Sequence, residues 1–74
     1  MTATLRLVGP LKEYAHGQSE LSVAPGLSVR ATLARLGIPP EVVALVVVNE
    51  EHQTKDYILQ DQDIVRVLAV IGGG

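Results

Sequence analysis

The sequence predicts an α+β fold, a mixed sheet of four to five strands with one main helix packed on one face. Three patterns predict it: two early segments in which apolar and polar residues alternate, one short amphipathic segment with helix-boundary residues at both ends, and two later apolar segments. Because the chain has 74 residues, these elements are expected to form one small domain around a small core.

The composition argues against several classes of protein. The chain is 47% hydrophobic and 19% charged, which is typical of a folded domain, and it has no cysteine for a disulfide, a thiolate metal site or a nucleophile. Its net charge of −2 is spread along the chain, which argues against a nucleic-acid partner. No signal-peptide pattern or membrane-length apolar stretch is present, so we expect a cytoplasmic protein without a membrane partner.

The first two strands are predicted to form an antiparallel hairpin. Apolar and polar residues alternate over Ala3–Val8, Gly9-Pro10 ends this segment, and alternation resumes over Glu20–Val23 after a long loop. Two short strands so close in sequence usually pair with each other. The residues expected on their buried face are Leu5, Leu7, Leu21 and Val23.

A single main helix is predicted at VRATLARLG, residues 29–37. Ser28 is suited to cap its first turn, Gly37 to end it, and Pro39-Pro40 prevents its continuation. A helix this short is stable only when it packs on a sheet. The apolar stripe expected to make that contact is Val29, Leu33 and Leu36.

The later strands are predicted from two apolar segments. Residues 45–48 form a continuous apolar run, which predicts a strand buried on both sides or nearly so, and the pattern leaves open which alternate residues face the helix. Residues 49–52 and 61–63 are predicted turns, and 57–59 a short helical turn or edge strand. Residues 64–71 are the last and longest strand. A final strand in this position commonly pairs in the middle of the sheet, which makes the fold a β-grasp.

No catalytic or metal site is expected in the folded part, residues 1–71. His16 and His52 fall in predicted loops without a metal-ligand spacing, and the acidic pairs at residues 50–51 and 61/63 suit turns better than acid–base catalysis. No glycine-rich phosphate loop occurs, so no bound cofactor is expected.

The last three residues, Gly72, Gly73 and Gly74, form a predicted flexible tail. Glycines without side chains can enter a narrow cleft and adopt any backbone conformation that the cleft requires. Three extended residues reach about 10 Å, and the group at their tip is the α-carboxylate of Gly74. A carboxylate becomes reactive once it is converted to an acyl phosphate or adenylate, so the tail predicts a carrier that presents its terminus to another enzyme.

Four stretches of the chain, residues 6–17, 25–37, 59–67 and 69–74, together resemble the MoaD/ThiS family of ubiquitin-like sulfur carrier proteins. RLVGPLKEYAHG, residues 6–17, is similar to the first strand and loop of MoaD-type members, and PGLSVRATLARLG, residues 25–37, resembles the family's turn and helix. LQDQDIVRV, residues 59–67, resembles the family's Leu-x-Asp-Gly-Asp-x-Val turn, and AVIGGG, residues 69–74, is similar to ThiS-type endings. The chain departs from the pattern where Gln62 and Glu50 replace common glycines, so the first turn must hold a non-glycine residue at positive φ and the second hairpin is expected to be longer or of another type.

The resemblance implies a function for the tail. An adenylating enzyme of the MoeB/ThiF type would use ATP to activate Gly74, a sulfur donor enzyme would supply the sulfur, and the resulting thiocarboxylate would serve a downstream synthase subunit. The MoaD-like beginning favours molybdopterin synthesis and the triple glycine favours the thiazole of thiamine, so the pathway stays open. The alternative is a ubiquitin-fold interaction module, or a modifier joined to lysine, that does not transfer sulfur.

A partner-docking surface is expected on the last strand. Alternation places Val65, Val67, Ala69 and Ile71 toward the core, and three of the four residues on the other side are apolar. An apolar patch with a charge at its edge is typical of a protein interface. The predicted docking residues are Ile64, Arg66, Leu68 and Val70.

Overall fold

The computed structural model describes residues 1–69. The described part of the chain contains one α-helix and a five-stranded mixed sheet, which confirms the predicted fold class. The boundary expected between residues 71 and 72 lies outside the described residues. The elements are β1 (Ala3–Val8), β2 (Glu20–Val23), α1 (Val29–Arg35), β3 (Val43–Val48), β4 (Glu51–Gln53) and β5 (Ile64–Ala69), with two 3₁₀ helices at Gly9–Ala15 and Pro40–Val42.

The strands lie in the order β2-β1-β5-β3-β4, with the last strand in the middle as predicted. β1 pairs antiparallel with β2, and β5 runs parallel to β1 and antiparallel to β3. The parallel pairing requires a crossover, and α1 lies within that connection. No helix among residues 1–69 is long and apolar enough to span a membrane.

Helix α1 forms where the sequence predicts it. The Ser28 hydroxyl accepts a hydrogen bond of 3.0 Å from the Ala31 amide, and the chain leaves the helix at Gly37, whose φ is +80°. Val29 and Leu33 are buried, and Leu36 packs at the margin of the core. The other core residues are Ala3, Leu5, Leu7, Leu11, Ala15, Val23, Ile38, Val43, Val46, Val48, Leu59, Val65 and Val67.

Strand β3 differs from the prediction because only one face of the sheet is covered. Val46 and Val48 are buried, whereas Leu45 is 36% exposed and Val47 is half-buried. The continuous apolar run therefore does not mark a strand buried on both sides. The helix and its flanking loops form one layer, which leaves the opposite face of the sheet uncovered in the described part of the chain.

Two of the predicted loops contain regular secondary structure. Residues 9–15 of the first loop form a 3₁₀ helix that buries Leu11 and Ala15. The turn after β3 contains only Asn49 and Glu50, with φ of +50° and +73°, and His52 lies in strand β4 rather than in a loop. This is the two-residue hairpin with both residues in the left-handed region that Asn-Gly normally forms. The expected longer hairpin was wrong, since Glu50 adopts the glycine conformation.

Candidate functional site

The predicted reactive tail, Gly72, Gly73 and Gly74, lies outside the described residues, as does Val70 of the predicted docking surface. The strand that leads to them, β5, is the central strand of the sheet. It pairs with β1 along one edge and with β3 along the other. The chain therefore enters its last five residues from a strand that is held by hydrogen bonds on both edges.

The uncovered side of the sheet, here called the outer face, contains the three described docking residues. Ile64 is 43% exposed, Arg66 is exposed and Leu68 is half-buried, whereas Val65 and Val67 between them are fully buried. The alternation predicted for this strand is therefore correct for its described part. Strand pairing adds five residues of β1 and β3 to the same face: Thr4, Arg6, Val8, Leu45 and Val47.

An apolar row crosses the outer face near the end of β5. Leu68 lies between Val8 of β1 and Leu45 of β3 in the strand register. Val8 is 42% exposed and Leu45 is 36% exposed. Three neighbouring aliphatic side chains, none of them fully covered, form a small contiguous patch next to the segment that leads to the tail.

A cationic row lies beside the apolar row. Arg6 and Arg66 are register partners on adjacent parallel strands, so their side chains leave the same face at neighbouring positions. The Arg6 Nε donates to Glu20 Oε2 at 3.1 Å, and among the described residues Arg66 has no ion-pair partner. A depression of about 360 Å³ on this face is lined by both arginines, Val47 and Ile64, together with Asn49 and Glu50 of the hairpin after β3. Because Arg6 is paired with Glu20 and Glu50 also lines the depression, Arg66 is the positive charge there that is suited to a partner's carboxylate.

A buried carboxylate positions the start of β5. Asp63 is 5% exposed and accepts hydrogen bonds from the Tyr57 hydroxyl at 2.7 Å, the Asn49 side-chain amide at 2.8 Å and the Gln60 amide at 2.8 Å. Burial alone would raise the pKa of the Asp63 carboxyl, but the three hydrogen bonds together hold it below its ordinary value. The Asn49 side-chain oxygen also accepts from the Ile64 amide at 2.9 Å. This carboxylate therefore holds the β3–β4 hairpin against β5 through three hydrogen bonds.

The other titratable residues do not converge on a site. His16 follows the first 3₁₀ helix with φ of +56°, and His52 is exposed in β4. Within residues 1–69 no three His, Cys, Asp or Glu residues lie close enough to hold a metal ion. In the same part of the chain, the acidic residues predicted to lie in turns do not form a cluster either. Glu50 lies in the β3–β4 hairpin, and the Asp61 carboxylate accepts a hydrogen bond of 3.0 Å from the Thr2 amide.

Sequence reasoning missed most of the outer face. It placed docking residues only on β5, because the long-range pairing of β1, β3 and β5 has no signature within any one segment. One signal was available for Arg6, which alternation placed on the solvent side of β1. No pattern could choose between Leu45/Val47 and Val46/Val48, since all four are aliphatic.

The chain is similar to known proteins in sequence and in fold. The model of the ThiS family matches residues 5–74. Among solved structures, the crystal structure of SAMP1 from Haloferax volcanii matches over 100% of both chains with a TM-score of 0.69 and 20% identity, a likeness that supports the fold. No curated protein matched in the sequence search.

Proposed function

Because the chain belongs to the ThiS family, we propose that it is a protein sulfur carrier whose Gly74 carboxylate is adenylated and then converted to a thiocarboxylate. The observation that carries the proposal is the match of the family model over residues 5–74, which includes all three terminal glycines. ThiS-type carriers are generally non-catalytic and work with activating enzymes. The chain's own part is to present and hold the reacting group.

The chemistry requires a partner to activate the terminus. One carboxylate oxygen of Gly74 attacks the α-phosphorus of ATP, which releases pyrophosphate and leaves an acyl adenylate. A sulfur nucleophile then adds to the acyl carbon, the carbon–oxygen bond to AMP breaks, and the thiocarboxylate remains. Gly72 and Gly73 would allow the terminus to reach both reagents, because a residue without a side chain fits a narrow cleft. ATP belongs to the partner in this scheme and is not a resident cofactor.

The outer face is proposed as the surface that the activating enzyme contacts. The apolar row at Val8, Leu45 and Leu68 crosses the end of β5, the strand that leads to the tail, and Arg66 provides a positive charge beside it. A desolvated apolar centre contributes most of the affinity at such a surface, whereas charges at its margin mainly set the rate and specificity of association. The expected partner surface is therefore apolar with a carboxylate opposite Arg66.

The remaining partners are proposed in general terms. A sulfur donor enzyme would act after the adenylating enzyme, both in the cytoplasm, and a synthase subunit would consume the thiocarboxylate. The synthase can belong to molybdopterin formation or to thiazole formation. Presenting the thiocarboxylated protein separately to each synthase distinguishes them, since only the matching complex would return the carrier to its carboxylate.

The proposal is tested by intact mass spectrometry. The full chain is incubated with ATP, a ThiF-type activating enzyme and hydrosulfide, beside a variant that lacks Gly74. A mass gain equal to exchange of one oxygen for sulfur in the full chain alone is expected. Absence of any adduct, with an enzyme shown to be active on another carrier, would contradict the proposal. Adenylation followed by attachment to lysine, without sulfur, would identify a modifier instead.

The outer face is tested in the same assay. Arg66→Glu is expected to slow thiocarboxylate formation at least about tenfold at low salt, because it places a like charge against the partner's carboxylate. The matched control is Arg30→Glu, the same charge change on the helix side of the domain. Equal rates for both variants would remove the outer face from the proposed function while leaving the tail chemistry intact.

A further inference from the structure

A groove lies between the free edge of β2 and helix α1, on the side of the sheet opposite the outer face. It is a depression of about 170 Å³, called here the β2–α1 groove, and is separate from the tail. Most of its side chains are apolar, with two hydroxyls and one positive charge among them. It is lined by Ser22, Val23, Leu27, Thr32, Arg35 and Leu36, among others.

The edge of β2 that borders this groove carries unpaired backbone groups. The Leu7 amide donates to the Ser19 carbonyl at 2.8 Å, which identifies that pair as a hydrogen-bonded pair of the antiparallel ladder. Hydrogen-bonded and non-hydrogen-bonded pairs alternate in such a ladder. The amide and carbonyl groups of Glu20 and Ser22 therefore point away from β1. β2 is the last strand on this side of the sheet, so within residues 1–69 no strand pairs with them.

A buried hydroxyl in the groove also lacks a partner. Thr32 is 5% exposed, and among the described residues nothing accepts from or donates to its Oγ1. A buried hydroxyl without a hydrogen bond destabilises a fold, and such groups are uncommon in native proteins. The oxygen itself is enclosed although the residue lines the groove, so an occupant with a polar backbone group would satisfy it once the side chain rotates about χ1.

The charge in the groove indicates which charge the occupant is expected to carry. Arg35 is the only charged residue among the described residues that line it, and none of them is acidic. The apolar side chains of Val23, Leu27 and Leu36 line the same groove. The complementary chemistry is an extended segment with aliphatic side chains and a carboxylate.

From these features we propose that the β2–α1 groove binds an extended acidic–aliphatic peptide segment of a partner protein, which pairs with β2 as an additional strand. Main-chain hydrogen bonds to Glu20 and Ser22 would supply affinity, while the groove and Arg35 would select the side chains. This contact is independent of sulfur transfer, since it leaves the tail and the outer face free. The chain could therefore hold one partner while its terminus reacts with another.

The test is a titration of the ¹⁵N-labelled full chain with a blocked synthetic peptide, Glu-Val-Ile-Val-Glu, followed by NMR. Saturable shifts centred on Ser22, Thr32 and Arg35 are expected, and the same peptide with lysine in place of glutamate should bind more weakly. Shifts centred on Ile64 and Arg66, or none at millimolar peptide, would overturn the proposal. Self-association through β2 in the absence of peptide would also overturn it, because a second copy would then occupy the edge.

Matched variants separate strand pairing from nonspecific binding. Ser22→Pro should weaken peptide binding about tenfold, because it removes an amide that points away from β1 but no hydrogen bond between β1 and β2. The control, His52→Pro, makes the same change at the outward-facing position of β4 on the opposite edge, as the two-residue hairpin sets it. Equal binding by wild type and both variants would rule out strand addition at β2.

Two further variants keep the proposal testable if a proline variant does not fold. Arg35→Gln should weaken binding about two- to fivefold, whereas Arg30→Gln on the same helix should not. Thr32→Val should raise the melting temperature of the free protein and weaken the peptide, because it removes a hydroxyl that only the ligand satisfies. A higher melting temperature with unchanged affinity would contradict the role given to Thr32.

Discussion

The hydroxyl of Tyr57 donates a hydrogen bond of 2.7 Å to the buried carboxylate of Asp63, at the point where the chain enters the central strand. The same carboxylate accepts from Asn49 in the β3–β4 hairpin and from the Gln60 amide. The Asp63 side chain therefore connects the β3–β4 hairpin with Tyr57 and Gln60, which lie in the segment between β4 and β5. The start of β5, and with it Ile64 and Arg66, depends on this connection.

Replacing Asp63 by alanine should lower the free energy of unfolding by about 2–3 kcal/mol, because three donors lose their acceptor in a buried environment. Urea denaturation followed by circular dichroism measures the change. Asp61→Ala is the control, since its carboxylate accepts one exposed hydrogen bond from the Thr2 amide and should cost less than about 1 kcal/mol. Equal costs for the two variants would contradict the central role of Asp63.

The stability of the protein should depend on pH through Asp63. Its pKa is lowered in the folded state, because three hydrogen bonds outweigh the opposing effect of burial. The carboxylate therefore stabilises the fold above the unfolded-state pKa of about 3.9, and this contribution is lost as the pH falls through the lower folded-state pKa. The difference in unfolding free energy between wild type and Asp63→Asn should be constant near neutral pH and shrink below about pH 4. A difference that does not change with pH would contradict this assignment.

Tyr57 should produce the opposite dependence at alkaline pH. Its hydrogen bond to Asp63, followed by burial and the nearby negative charges, raises the pKa of the hydroxyl. The stabilising contribution is present below the unfolded-state pKa of about 10 and is lost as the pH rises through the folded-state value. The advantage of wild type over Tyr57→Phe should therefore disappear in strongly alkaline solution. Denaturation curves for both proteins at several pH values measure it.

Glu50→Gly is expected to stabilise the domain. Glu50 has φ of +73° in a two-residue hairpin, a conformation that costs a non-glycine residue about 1–2 kcal/mol. Glycine loses more backbone entropy on folding than glutamate does, which offsets part of this benefit. The expected net gain in the free energy of unfolding is about 0.5–1 kcal/mol. Glu51→Gly, one residue later in strand β4, should instead be destabilising. A loss of stability in Glu50→Gly would contradict the hairpin geometry.

Two aliphatic residues should respond very differently to truncation. Leu33→Ala removes a side chain that is fully buried between helix and sheet, with an expected cost of about 2–5 kcal/mol. Ile64→Ala on the outer face, where the side chain is 43% exposed, should cost less than about 1 kcal/mol. Thermal denaturation compares them. A large loss in Ile64→Ala would mean that the outer face is covered by other parts of the chain rather than available to partners.

Local sequence patterns predicted the elements whose boundaries depend on neighbouring residues. Ser28 and Gly37 bound the helix because capping is a local hydrogen-bonding requirement. Alternation placed Leu5, Leu7, Val65 and Val67 in the core because side chains of a strand leave opposite faces in turn. The positive φ expected at Gln62 is also confirmed, at +69°.

Local patterns failed where the outcome depended on what packs across the sheet. The aliphatic run in β3 has no internal asymmetry, so only the position of α1 decides that Val46 and Val48 are buried while Leu45 and Val47 remain partly exposed. Likewise, no nearby residue indicates that Glu50 occupies a glycine conformation. The pairing of β3 with β4 and the Asn49–Asp63 hydrogen bond hold the hairpin tight enough to impose it.

The sequence by itself determined the fold class, the helix with its ends, the alternation of the strands and the resemblance that assigns the chain to its family. Only the tertiary structure decided which residues share a surface. Arg6 and Arg66 become neighbours, and Val8, Leu68 and Leu45 form a row, because β5 returns to the centre of the sheet between β1 and β3. Register between strands far apart in sequence is set by the packing of the whole core, and that information is not contained in any single segment.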